Sequence, residues 1–205
     1  IDALKHILIA QGNMLLVGPS GTAKTRLIRQ FLGNLKIGEN SSYAEIQFSQ
    51  DSTSDEVKGP YDPRALLEEG KYTRRYGEGV FESAFVTFDE IDKARPKLHP
   101  TLFTFLADRL DVAGPKTAQA KTQIVIGTAN KFISQLYLSP NILPQEVQPF
   151  IDRFDYVVFV PGEMEYILNS MRLADDITFK EELNINVVDK ARAMMDHVEI
   201  PLRVK

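Results

Sequence analysis

A chain of 205 residues can hold one good-sized domain with room for a small appendage. Its 43% hydrophobic and 25% charged residues are ordinary for a globular protein, and a net charge of -4 supplies no general attraction to nucleic acid or an anionic membrane. With no cysteine there is no disulfide, thiol nucleophile or thiolate metal site, which fits a reducing compartment and an expected cytoplasmic location. No apolar run approaches the roughly 18 residues needed to cross a bilayer, so no membrane partner is expected. Ile1 to Gln11 mixes Asp2, Lys5 and His6 with apolar positions and reads as an amphipathic helix, not a signal peptide. A chain that opens on Ile1 and stops at Lys205 is expected to be a piece of a longer protein.

Five short apolar runs read as strands: Met14 to Val17, Ala44 to Phe48, Ala84 to Phe88, Gln123 to Gly127 and Tyr156 to Val160. Several are almost continuously apolar, as strands covered on both faces are. Helical patterns over Lys24 to Leu32, Lys97 to Leu106 and Gln145 to Ile151 alternate with them, and Gly33 to Ser42 reads as a loop. Alternation of this kind predicts an α/β fold with a mostly parallel sheet between helices. Beyond Pro161 no further strand is expected, only helices over Glu163 to Leu173 and Asn186 to His197.

The first strand runs straight into Gly18, Pro19, Ser20, Gly21, Thr22, Ala23, Lys24 and Thr25, the G-x-x-x-x-G-K-[ST] phosphate-loop pattern with Ala23 in place of the last glycine. Such a loop turns backbone N–H groups inward around phosphate oxygens, and the following helix presents its N-terminus to the same charge. Lys24 is placed to reach the β- and γ-phosphates of ATP, and the Thr25 hydroxyl to ligate Mg²⁺. Alanine fits at position 23 if that residue keeps a right-handed backbone.

The third strand ends in Asp89 and Glu90. Carboxylates at the carboxyl end of a parallel strand face the crevice that holds the loop. Asp89 is expected in the Mg²⁺ shell, and Glu90 to orient and deprotonate a water for attack on the γ-phosphate. Asn130, closing Gly127-Thr128-Ala129-Asn130 after the fourth strand, either contacts the γ-phosphate or that water, or caps a turn. The fourth strand is expected between the first and third. Arg153, set between Asp152 and Asp155, reads by itself as part of a local salt bridge. His99 and His197 have no partner at metal-ligand spacing and read as structural.

Taken together, these residues resemble an AAA+ ATPase of the MoxR family, RavA-like in pattern. The resemblance rests on the phosphate loop, where alanine before lysine is usual for that family, and on Gly59-Pro60-Tyr61-Asp62, Ala65-Leu66 and Glu69-Gly70-Lys71-Tyr72. It continues through Gly77 to Ala84, Phe88 to Ala94, Leu98 to Arg109, Gly127 to Asn130 and Asp152-Arg153-Phe154. It implies an AAA+ core over residues 1–161 with strand order 5-1-4-3-2, and an insertion in the second helix at about residues 57–83. Residues 162–205 would be a helical connection toward a C-terminal lid that is missing or partial. It implies a ring, usually hexameric, with ATP between neighbouring subunits, Asn130 as the sensor 1 residue and Arg153 as an arginine finger acting across the subunit boundary.

Tyr72, Arg74, Arg75 and Tyr76 make a basic-aromatic cluster, either a solvated hairpin or a loop facing the ring's pore or upper face, and Asp111 to Thr122 is the expected hairpin before sensor 1. The implied activity is that of a remodelling or maturation chaperone acting on a protein client, which in this family is often a von Willebrand factor A domain protein. Two other functions compete with it. A nucleic-acid-handling motor would have only Lys71, Arg74 and Arg75 as obvious phosphate contacts. A non-hydrolysing switch or scaffold conflicts with an intact Asp89 and Glu90.

Overall fold

A computed structural model describes residues 2–37, 40–113, 116–130 and 151–160. The chain runs α1 (Asp2–Ala10), β1 (Asn13–Val17), α2 (Lys24–Gly33), β2 (Lys36–Ile37), β3 (Asn40–Ser41) and β4 (Tyr43–Gln47). There follow α3 (Ser54–Lys58), α4 (Pro63–Glu69), β5 (Phe85–Asp89), α5 (His99–Asp108), β6 (Leu110–Ala113), β7 (Lys116–Gln119), β8 (Ile124–Ala129) and β9 (Tyr156–Phe159). The helix read over Gln145 to Ile151 lies almost wholly outside the described residues, and those read after Pro161 lie outside them entirely.

Five parallel strands form one sheet in the order β4-β5-β8-β1-β9, which is the expected 5-1-4-3-2 read from the other edge. β8 pairs with both β5 and β1, so the fourth sheet strand lies between the first and third, as expected. Side chains alternate across each strand. Met14 and Leu16 of β1 join Ile124 and Ile126 of β8 under α1 and α2, in a core that includes Leu4, Ile7, Ile28 and Phe31. Leu15 and Val17 join Val86, Phe88 and Val125 on the other face, against Leu102, Phe105 and Leu106 of α5. Two covered faces explain the nearly unbroken apolar runs.

Two local expectations change and a third holds. The polar stretch after α2 is not all loop, because β2 and β3 pair within it as a two-residue antiparallel ladder. The helix expected from Lys97 starts two residues later: Pro96 opens a single 3-10 turn, and Pro100 sits in the first turn of α5, where its missing N–H costs no helical bond. The expected hairpin between Asp111 and Thr122 is present as β6 paired with β7.

The basic-aromatic cluster is split, and only part of it is solvated. Tyr72 is 74% exposed, yet Arg74 is turned inward toward Asp111, which is 1% exposed. The Asp111 carboxylate meets Lys58 Nζ at 2.6 Å and Arg74 Nε at 3.5 Å, and accepts a hydrogen bond from the Tyr76 hydroxyl at 3.2 Å. Arg74 also donates to Asp55 and to the Gly59 carbonyl, and lies over the Tyr61 ring. A buried carboxylate thus fastens the 57–83 segment to the β6–β7 hairpin. Removing one partner of such a group strands the others, at about 3–5 kcal/mol. Asp111→Ala is therefore expected to lower stability by that amount in denaturant unfolding and to speed proteolysis within residues 57–83. Unchanged stability would make the cluster incidental. No helix among the described residues is long and apolar enough to cross a membrane.

Candidate functional site

The phosphate loop leaves β1 at its carboxyl end, where the Gly18 N–H is held by the Ala129 carbonyl of β8 at 3.0 Å. Gly21 has φ +82°, a conformation open to glycine at little cost. Ala23 corrects the expectation of a right-handed backbone: its φ of 58° and ψ of 18° are left-handed, and it leads directly into α2. Alanine in this region carries roughly 1–2 kcal/mol of steric cost. Lys24 is buried, with its ammonium donating to the Gly18 and Pro19 carbonyls at 2.8 and 2.7 Å and to the Thr22 hydroxyl at 3.2 Å. Burial lowers its pKa, opposed by the nearby Asp89, Asp92 and Glu90 charges.

Across the cleft, Asp89 closes β5. Its Oδ1 accepts hydrogen bonds from the Thr25 hydroxyl at 2.7 Å and the Thr128 hydroxyl at 2.5 Å. The Thr128 oxygen in turn accepts the Glu90 N–H at 2.9 Å. Glu90 has a left-handed backbone, φ 54° and ψ 42°, which turns the chain sharply at the strand end. Its carboxylate accepts from Asn130 Nδ2 at 2.7 Å, Lys93 Nζ at 2.7 Å and Gln47 Nε2 at 3.1 Å. The bond from Lys93 is the largest cause holding the Glu90 pKa below the ordinary carboxylate range, and the amides of Gln47 and Asn130 add to it. A depressed folded-state pKa means that the ion's stabilising effect is present above the unfolded value and fades as pH falls through the folded one. Glu90 is ionised at neutral pH.

These groups surround one cleft of about 230 Å³, lined by Ser20 to Arg26, Gln47, Asp89, Glu90 and Asn130. Gly18 and Pro19 are outside that lining and adjoin it through their carbonyls, which accept from Lys24. The loop, both carboxylates and Asn130 are therefore brought together. Arg153 is not. It precedes β9 at the amino ends of the strands, beside Asn13 and Gln123, with its guanidinium 4.8 Å from the centre of the Phe103 ring. β1 is five residues long, so a strand length of roughly 15 Å separates this end from the loop.

Three contributors escaped the sequence reading. Thr128 had a usable signal: a hydroxyl inside a fully buried strand needs a partner. Gln47 had none, since it meets Glu90 only through the fold, whereas Lys93 lies three residues beyond Glu90, a spacing at which a local ion pair forms. The oxygen donors Thr25 and Asp89 suit Mg²⁺, which takes few protein ligands and completes its shell with water and substrate phosphate. Among the described residues no cluster of three or more His, Cys, Asp or Glu could hold a metal by itself. His99 lies 3.3 Å from the Ala94 carbonyl and against Phe103, a structural position, while His197 lies outside the described residues.

Residues 13–143 match the family described as AAA domain (dynein-related subfamily). Two uncharacterized proteins of Methanocaldococcus jannaschii are 23% and 22% identical over 98% of this chain, covering 50% and 51% of their own lengths. The ATP-binding subunit ClpE of the ATP-dependent Clp protease of Lactococcus lactis is 29% identical over 58% of this chain and 16% of its own. The crystal structure of a candidate ATPase from Cytophaga hutchinsonii superposes with a TM-score of 0.65 at 19% identity, over 95% of this chain and 57% of that one. The chain thus spans about half the length of the relatives it matches end to end.

Proposed function

Because the chain belongs to the AAA domain family, dynein-related subfamily, we propose that its cleft binds ATP with Mg²⁺ and hydrolyses the γ-phosphate, within a ring of copies. The observation that carries this reading is the convergence of Thr25, Asp89 and Glu90 on a left-handed phosphate loop. In the reaction, a water oxygen attacks the γ-phosphorus, the bond to the β-bridging oxygen breaks, and ADP and phosphate leave. Glu90, ionised at neutral pH, orients that water and accepts its proton; Lys24 swings from the loop carbonyls to the phosphates. Thr25 and Asp89 would hold Mg²⁺, which supplies charge neutralisation across the phosphate oxygens. Arg153 lies too far from its own loop to serve it, which supports a role at the neighbouring subunit's phosphate.

The finer reading is a MoxR-like remodelling or maturation chaperone, hexameric, with a protein client that we propose to be a von Willebrand factor A domain protein. Tyr61, Leu66, Leu67 and Tyr72 are exposed on the 57–83 segment, an apolar surface suited to a protein. The candidate nucleic-acid contacts are all engaged by carboxylates: Lys71 by Glu69, Arg74 by Asp55 and Asp111, Arg75 by Glu78. That favours the protein client over the motor.

Lys24→Ala should weaken ATP binding on the order of 10–100-fold, the worth of lost charged hydrogen bonds. Titration with a fluorescent ATP analogue measures this, and unchanged affinity would remove the phosphate-loop reading. Mass measurement with and without the analogue and Mg²⁺ tests ring formation.

A further inference from the structure

Asn13 opens β1 at the end of the sheet away from the nucleotide cleft, and every part of it is engaged. Its backbone N–H donates to Asp155 Oδ2 at 2.7 Å, and its carbonyl accepts the Asp155 N–H at 2.9 Å. Its side-chain amide donates to the Arg153 carbonyl at 2.7 Å and the Leu106 carbonyl at 2.8 Å. Its Oδ1 accepts from Arg109 Nη2 at 2.5 Å. Arginine can only donate and carbonyls can only accept, so the amide has one workable orientation.

Arg109 is itself fixed. It stands in the left-handed position that ends α5, donating to the Phe105 and Leu106 carbonyls there and to Thr122 across the way. A cation at a helix C-terminus is favoured by the helix dipole. Burial pushes its pKa down to about 10, against the pull of Asp155. Two further contacts constrain the Arg153 segment. Phe103, also on α5, lies under the Arg153 guanidinium. Phe154 packs so closely on Gly127 of β8 that a Cβ there would come within 3.2 Å of its ring.

We infer that Asn13, oriented by Arg109, is a positioning residue for Arg153: it clamps the arginine's backbone carbonyl to α5 and β1 and so sets where the guanidinium is presented to a neighbouring subunit. The inference rests on the proposed action of Arg153 in trans. A misplacement of about 1 Å can cost on the order of 10²-fold in rate, so the clamp matters well beyond its own hydrogen bonds. Asn13→Asp keeps the shape and the acceptor for Arg109 but replaces the one nitrogen that makes both donor bonds with an oxygen facing two carbonyls.

The test uses mixed rings of the complete protein. Arg153→Ala subunits have an intact cleft and no guanidinium to give; Lys24→Ala subunits have a disabled cleft and an intact Arg153. Their mixture should regain ATPase activity. Adding Asn13→Asp to the Lys24→Ala donor should cut that recovery ten- to hundredfold, while Asn13→Asp alone keeps wild-type ATP affinity. A residue that merely supported the fold would lower both. Recovery as strong with the Asn13→Asp donor overturns the clamp. If Lys24→Ala donors fail to rescue in rings shown to form, the role of Arg153 in trans fails instead. Should Asn13→Asp not fold, Arg109→Lys in the donor decides the matter: it keeps a cation at the end of α5 but loses the fork that orients Asn13. Reduced recovery supports the clamp, and full recovery overturns it.

Discussion

Arg153→Ala is expected to lower ATP turnover by roughly 10³–10⁵, the worth of an arginine finger where charge develops in a water-poor site. ATP affinity at the mutant's own cleft should change little, since Arg153 sits at the amino ends of the strands and the phosphate loop at the carboxyl ends. Activity should return when the mutant is mixed with Lys24→Ala subunits, in proportion to boundaries where an intact Arg153 faces an intact cleft. A variant with wild-type turnover would return Arg153 to the bland reading, an arginine settled among local aspartates and the Phe103 ring.

Glu90→Gln should separate binding from chemistry. Glutamine preserves the volume and can still accept the Asn130 amide, but it carries no charge for Lys93 and cannot take a proton from water. The expected result is a loss of turnover on the order of 10²–10⁴ with ATP still retained. Single-turnover hydrolysis and nucleotide retention after gel filtration read the two effects apart. Hydrolysis at the wild-type rate would show that another group activates the water. A variant that loses ATP altogether would mean that Glu90 shapes the cleft more than it serves the reaction.

Much of the fold was legible because hydrophobic periodicity records burial. β1 and β8 are buried at every described position, and both read as nearly continuous apolar runs. The strand order followed from the resemblance, and Asp89 was placed by the rule that parallel strands deliver carboxylates at their carboxyl ends. What escaped was pairing between residues distant in sequence. Arg74 looked solvated because Asp111, which draws it inward, lies on another hairpin. Gln47 reaches Glu90 from another strand and no local pattern marks it, whereas Lys93, three residues beyond Glu90, was legible from its spacing. The handedness of Ala23 failed for a different reason. Reading it as right-handed assumed that a small side chain keeps its preferred conformation, whereas the loop imposes its own.

That imposed conformation bears on the entropy of binding. Glycine at position 23 would let the unbound loop wander through both halves of backbone space, and each nucleotide captured would have to quench that wandering. An alanine methyl narrows that range toward the right-handed half, so the left-handed turn is held against the residue's own preference. That strain, roughly 1–2 kcal/mol, is sustained by the rest of the folded loop before any ligand arrives. Ala23 therefore carries strain into every round of exchange, and a glycine in its place would trade that strain for motion.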